Sequence, residues 1–242
     1  MIYVTVPGDT VSSISRQSGV PVWKIIYDNQ LGEEGKLTVG QALLLLKPQE
    51  SAEIREDLYV TGYAYPFIEP YVLEMAFPAL NELLVFSYGF TFEGELVPPI
   101  QDETWMIQLA WENGIEPMLV LTPFTQGVFN NQLIQTLVEE ESVRENVITN
   151  LLKVVEEKGY VGVDVDFEYV RAQNREGYAE FVGELRAAMN EKGYRVSVAL
   201  APKTSSDQKG LLYEGIDYAL LGEQADRLFL MTYEWGYSYG PP

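Results

Sequence analysis

Read as apolar and polar positions, the chain changes rhythm near residue 50. Residues 2–6 alternate as a short strand. Residues 11–18 and 22–29 carry apolar positions at helical spacing, separated by the breaker Gly19-Val20-Pro21, and Asp9 or Thr10 stands where the first helix needs a cap. After a loop ending in Val39-Gly40-Gln41, residues 42–46 read as a second strand. The order βααβ defines a module at 1–47, near the lower size limit for independent folding. Residues 48–57 are polar, include Pro48 and read as a linker. From residue 58 onward strand and helix patterns alternate. Strands are predicted at 58–64, 83–88, 117–121, 161–168, 195–201 and 227–233. Helices are predicted at about 71–79, 102–113, 131–158 (with a break), 177–191 and 215–221. Six βα repeats without a Gly-rich phosphate loop point to an α/β fold of the (β/α)8 TIM-barrel type rather than a nucleotide-binding sheet. Such barrels run to about 250 residues. Residues 58–242 supply 185, so the expectation is a barrel that stops after its sixth strand.

The strand at 161–168 carries an unusual polar set. Asp164, Asp166 and Glu168 stand at every second position and share one face, while Val163, Val165 and Phe167 share the other. In βα repetition both sheet faces are buried, and buried acids are costly without a role. Active sites of barrels sit at the C-terminal strand ends, so Glu168 is expected at the mouth, Asp166 about 7 Å deeper and Asp164 deeper again. Like charges at this spacing in a desolvated place cannot all ionise. The ladder is therefore expected to hold at least one proton near neutral pH, as general acid catalysis requires.

Composition narrows the competing chemistries. There are 36 acidic and 16 basic residues, a net charge of −20. Residues 1–50 hold 5 acidic and 4 basic of these, so residues 51–242 hold 31 and 12. Such a domain is repelled by nucleic acid phosphates and anionic lipid, and no apolar run is long enough for membrane insertion. Cys and His are absent, which argues against zinc and excludes His-dependent nucleophiles. A calcium loop beginning at Asp164 fails because Tyr169 and Arg175 occupy its sixth and twelfth positions. The expectation is no metal and no cofactor, with proton transfer left to Asp, Glu, Tyr or Lys. The first residues carry neither a basic segment nor an apolar run, so no signal peptide is expected.

Two resemblances give these positions roles. Tyr3-Val4-x-x-Pro7-Gly8-Asp9-Thr10, Ile14, Ile26-x-x-Asn29 and Leu37-x-x-Gly40-Gln41 resemble the lysin motif, LysM, whose members bind glycans containing N-acetylglucosamine. The resemblance implies glycan contacts at Gly8, Asp9, Thr10 and Leu31. Gly162-x-Asp164-x-Asp166-x-Glu168 resembles the fourth-strand signature of glycoside hydrolase family 18, with Val161 where that family often has another Asp. It implies that Glu168 protonates the glycosidic oxygen while the substrate's own acetamide oxygen attacks the anomeric carbon, outside the usual two-carboxylate scheme. Asp166 would orient the acetamide, and Asp164 would share a proton with Asp166. Met231-Thr232-Tyr233-Glu234 resembles the family's Met-x-Tyr-Asp, which assigns the Tyr233 hydroxyl to the acetamide carbonyl. Tyr63, Met231, Glu234 and Trp235 would contact the sugar. The runs 62–66, 166–170 and 231–237 further resemble the spore cortex-lytic N-acetylglucosaminidases of endospore-forming bacteria. That implies a retaining hydrolase of cortex peptidoglycan, made in the mother-cell cytoplasm and deposited in the coat and cortex region. The alternatives are a chitinase or other endo-hexosaminidase, and a glycan-binding protein left inactive by an incomplete barrel.

Overall fold

A computed structural model describes residues 1–32, 35–46, 58–125 and 128–233, which divide into two units, 1–58 and 59–242. The predicted linker at 48–57 lies outside the described residues.

The first unit is built from β1 (Ile2–Val4), α1 (Val11–Ser18), α2 (Val22–Asp28) and β2 (Ala42–Leu44). β1 and β2 pair antiparallel, with Tyr3 opposite Leu43. Thr10 and Ser13 cap α1 reciprocally, Ser13 N–H to Thr10 Oγ1 at 3.0 Å and Thr10 N–H to Ser13 Oγ at 2.9 Å. A cap of this kind contributes about 1 kcal/mol. Val11, Ile14, Val20, Ile25, Leu43 and Leu45 form the core. Asn29 fastens the end of α2 to β2: its amide nitrogen donates to Ile25 O and Leu44 O, and its amide oxygen accepts from Leu44 N at 2.6 Å.

The second unit runs β3 (Thr61–Ala64), α3 (Pro70–Ala76), β4 (Glu82–Phe90), β5 (Leu96–Val97), α4 (Thr104–Glu112), β6 (Glu116–Leu121), β7 (Phe124–Thr125), β8 (Val128–Phe129), α5 (Asn131–Glu139), α6 (Glu141–Lys158), β9 (Gly162–Val165), α7 (Arg175–Asn190), β10 (Arg195–Leu200), α8 (Tyr218–Gln224) and β11 (Arg227–Leu230). Six parallel strands in the order β3-β4-β6-β9-β10-β11 make a half-barrel, with β5 antiparallel on β4 and β7–β8 a separate hairpin. The break expected in 131–158 falls at Glu140, whose extended backbone separates α5 from α6. The last helix begins at Tyr218 rather than 215, because Asp217 accepts from Ala219 N and Leu220 N and so fixes its start.

Alternation sends Val163 and Val165 outward into the main core, among Val147, Leu151 and Val155 of α6 and Phe181, Val182 and Leu185 of α7. The inward side is layered. Leu84, Met118 and Val120 form a small apolar cluster with Tyr63 and Phe86 against it. Below them, at the N-terminal strand ends, lies a layer of ions. Buried Glu82 on β4 accepts from Arg227 Nη2 of β11 at 2.7 Å, Arg195 Nη2 of β10 at 3.1 Å and Thr61 Oγ1 of β3 at 3.1 Å. Glu116 on β6 accepts from Arg195 Nη2 at 2.6 Å and Tyr59 OH at 2.8 Å. A buried carboxylate is tolerable only when satisfied in this way. Gly162 begins β9 because a Cβ there would stand 2.0 Å from the Arg195 carbonyl oxygen of neighbouring β10.

Candidate active site

Asp164 lies in β9 between Val120 of β6 and Ser197 of β10, and it is buried. Tyr63 OH, from β3, donates to its Oδ2 at 2.8 Å, and Ser197 OH donates to its Oδ1. Burial is the larger influence and pushes the carboxyl up to about 6, while the Ser197 and Tyr63 hydroxyls pull it back down. Tyr63 keeps its own proton, because burial and then the Asp164 charge raise it far above the ordinary tyrosine range.

Beyond Val165 the chain leaves the regular ladder, although Asp166 N still donates to Leu121 O at 2.9 Å. Asp166 is 6% exposed. Its Oδ1 is buried and has no hydrogen-bond partner among the described residues. Burial, then the charges of Asp164 and Glu168, push this carboxyl up to about 8. The pair therefore holds a proton near neutral pH, and the upward push is the greater on Asp166. Glu168 follows at the mouth, half-buried. Tyr169 then takes a left-handed backbone, φ +60, rare for a residue with a Cβ.

A cleft of about 490 Å³ opens above Asp166 and Glu168. It also brings together Tyr63, Met231 and Tyr233 with Tyr65, Phe86, Phe124, Phe129 and Ala199. Its aromatic side is continuous. The Tyr65 ring lies 4.8 Å from Phe86, Phe86 5.9 Å from Phe124, Phe124 4.6 Å from Phe129, and Phe129 6.2 Å from Tyr169. One wall is thus apolar, its successive rings meeting edge to face, and the floor carries the carboxyls. Such a site suits a ligand with hydrophobic ring faces and polar edges.

Of the residues expected from sequence, Asp166, Glu168, Tyr63, Met231 and Tyr233 line one cleft, and Asp164 lies beneath, joined through Tyr63. Glu234 and Trp235 lie outside the described residues. In the first unit, Asp9 Oδ2 accepts from Val6 N at 2.7 Å and Tyr3 OH at 2.9 Å, and Thr10 serves as the cap of α1. Gly8 turns the loop with φ +93, and Leu31 packs on the module core. Sequence reasoning missed Ser197 and the ring wall. Ser197 had a signal: it is the only polar residue in the apolar run Val196–Ala201, on the face alternation sends inward. Among the described residues no group of three or more His, Cys, Asp or Glu side chains is placed to hold a metal ion.

Comparison with known proteins agrees with this geometry. Residues 127–240 match the family model for glycosyl hydrolases family 18, and residues 3–45 match the LysM domain. A cortical fragment-lytic enzyme of Bacillus subtilis is 37% identical over 168 residues, covering 69% of this chain and 38% of that protein. The spore cortex-lytic enzyme SleL of Bacillus cereus superposes with a TM-score of 0.71 at 30% identity, over 100% of this chain and 55% of that one. SleL of Bacillus megaterium gives 0.67 at 27%, over the same shares. The chain thus spans about half or less of the length of these relatives.

Proposed function

From a chain in which a LysM domain precedes a family 18 glycosyl hydrolase domain, we propose that the cleft cleaves N-acetylglucosaminyl linkages of spore cortex peptidoglycan by substrate-assisted, retaining hydrolysis. The observation that carries this reading is Asp166: a buried carboxyl that its surroundings push toward holding a proton, one oxygen of which lacks a partner among the described residues, beside Glu168 and within a ring-walled cleft. An acetamide N–H supplies the missing donor. In the first step the Glu168 carboxyl gives its proton to the glycosidic oxygen, the acetamide oxygen bonds to the anomeric carbon, and the bond to the leaving sugar breaks. The Asp164–Asp166 pair carries one proton between its members and lends its negative charge to the cationic ring that forms. The Tyr233 hydroxyl donates to the acetamide carbonyl. Water then attacks the anomeric carbon, the bond from that carbon to the acetamide oxygen breaks, Glu168 takes the water's proton, and the configuration is retained. Asp164 never meets substrate. Its part, with Tyr63 and Ser197 as donors, is to fix the depth and charge of Asp166. The LysM domain tethers the enzyme to its polymer and so raises the local concentration of linkages. Similarity to spore cortex-lytic enzymes supports a spore-associated location, with deposition in the coat and cortex region.

The test is Glu168→Gln, which keeps shape and removes the proton. Release of reducing ends from cortex fragments should fall by about 10²–10⁴-fold; unchanged release sinks the assignment. A second reading, a glycan binder without turnover, draws on the open edges that β3 and β11 present among the described residues. Wild-type chain that sediments with peptidoglycan yet releases no reducing ends would establish it.

A further inference from the structure

We propose that Trp23 and Tyr27 of α2 form a second carbohydrate-contact surface on the LysM domain, a two-ring platform on which N-acetylglucosamine units of a glycan strand stack, separate from the loop residues Gly8, Asp9, Thr10 and Leu31. The proposal rests on the reading of this domain as a glycan binder. Trp23 and Tyr27 are 68% and 70% exposed, far more than rings of this size in a folded unit normally are. They stand four positions apart on one helix, so they share a face, about 6 Å apart along its axis. Neither belongs to the module's apolar core, which takes Ile25 from the same helix.

Three observations select a glycan as the occupant. The helix is rigidly carried, with Ile25 buried and Asn29 bonded twice to the β2 backbone, so the rings are already positioned and little freedom is lost on binding. Each ring is amphipathic: an apolar face for the axial C–H groups of a pyranose, and an indole N–H or phenol O–H at the edge for its hydroxyls. The helix itself is electrically quiet. Lys24 and Asp28, the charged residues of α2, neutralise each other at 3.0 Å. Residues 1–50 contain 5 acidic and 4 basic residues in a chain of net charge −20, so this is the part that can approach a wall polymer without strong repulsion. The loop groups, by contrast, are already engaged: Asp9 Oδ2 holds Val6 N and Tyr3 OH, and Thr10 caps α1.

The experiment uses the full chain and titrates the N-acetylglucosamine tetramer while following the indole N–H resonance of Trp23, identified by its loss in Trp23→Phe. The resonance should shift on titration. Trp23→Ala combined with Tyr27→Ala should weaken sedimentation with peptidoglycan about tenfold or more, as truncation of buried aromatic contacts does. The double Phe substitution, which keeps both rings, should retain most of the binding and shows that the fold is intact. A Trp23 resonance that stays still while the Ala pair sediments like wild type overturns the platform and leaves the LysM reading standing. A wild-type chain that binds neither tetramer nor peptidoglycan overturns both. Self-association that the Ala pair abolishes, with glycan binding unchanged, makes the face a contact between copies and also overturns the proposal.

Discussion

Asp166→Asn tests the electrostatics of the cleft without requiring turnover. The ordinary Asp carboxyl titrates at 3.8, and burial with two neighbouring carboxylates pushes Asp166 up to about 8. Because the folded state holds this proton more tightly than the unfolded state, the stability linked to it is fully present below about 4. It is lost as pH rises through about 8. Each pH unit of difference corresponds to 1.36 kcal/mol, so the wild type loses on the order of 5 kcal/mol across this window through Asp166 alone. Asparagine has no such titration. It leaves an amide in the same pocket, whose unpaired groups cost about 1–3 kcal/mol at every pH. The difference predicts an Asn variant no more stable than wild type at pH 4–5 and more stable by about 2–4 kcal/mol at pH 8. For a unit of this size that corresponds to a rise in Tm of roughly 5–15 °C at the higher pH. Urea titrations at pH 4.5, 6 and 8, followed at tryptophan emission, read it directly. A variant whose stability relative to wild type does not change with pH would show that Asp166 ionises normally, and the proton assignment of the pair would fall.

Three further outcomes follow from the same geometry. Ser197→Ala removes a donor to the Asp164 carboxylate, worth about 1.5–3 kcal/mol, so the step at about 6 should move up by roughly one pH unit or more in the kcat/KM profile; Ser197→Thr should restore it, and an unmoved limb would remove Ser197 from the site. Gly162→Ala places a methyl 2.0 Å from the Arg195 carbonyl and should cost about 3 kcal/mol or more, read as a lower urea midpoint, with wild-type stability refuting the close approach of β9 and β10. Glu82→Ala strips two arginines of a buried partner and should cost about 3 kcal/mol, while Glu82→Gln, which keeps the acceptor, should cost less.

Local signals carried most of the fold. The continuous apolar run of β6, the apolar run of β10 broken only by Ser197, the amphipathic α6 and α7, and the break at Glu140 are all properties of a few adjacent residues. The alternation of Asp164, Asp166 and Glu168 was equally legible, but where pairing stops was not. Asp166 and Glu168 lie past the end of β9, which stops at Val165, four residues before Tyr169 enters the left-handed region. Alternating residues look the same on either side of such a point. The hairpin of β7 and β8 has two residues per strand, too few for any period to register, although Phe124 and Phe129 supply much of the cleft wall. The ions beneath the site were invisible for another reason. Glu82 and Arg227 are 145 positions apart, and nothing near either one announces the other.

That contact joins strands with three others between them in the sheet, so it acts as a drawstring. Five parallel strands could lie nearly flat, but an arginine on β11 that reaches a glutamate on β4 gathers them into an arc. The gathering is done at one rim, and the chemistry is done at the other. Side chains along the mouth are therefore relieved of holding the curve, and the ring wall can be recut for a different sugar while the arc beneath it stays closed.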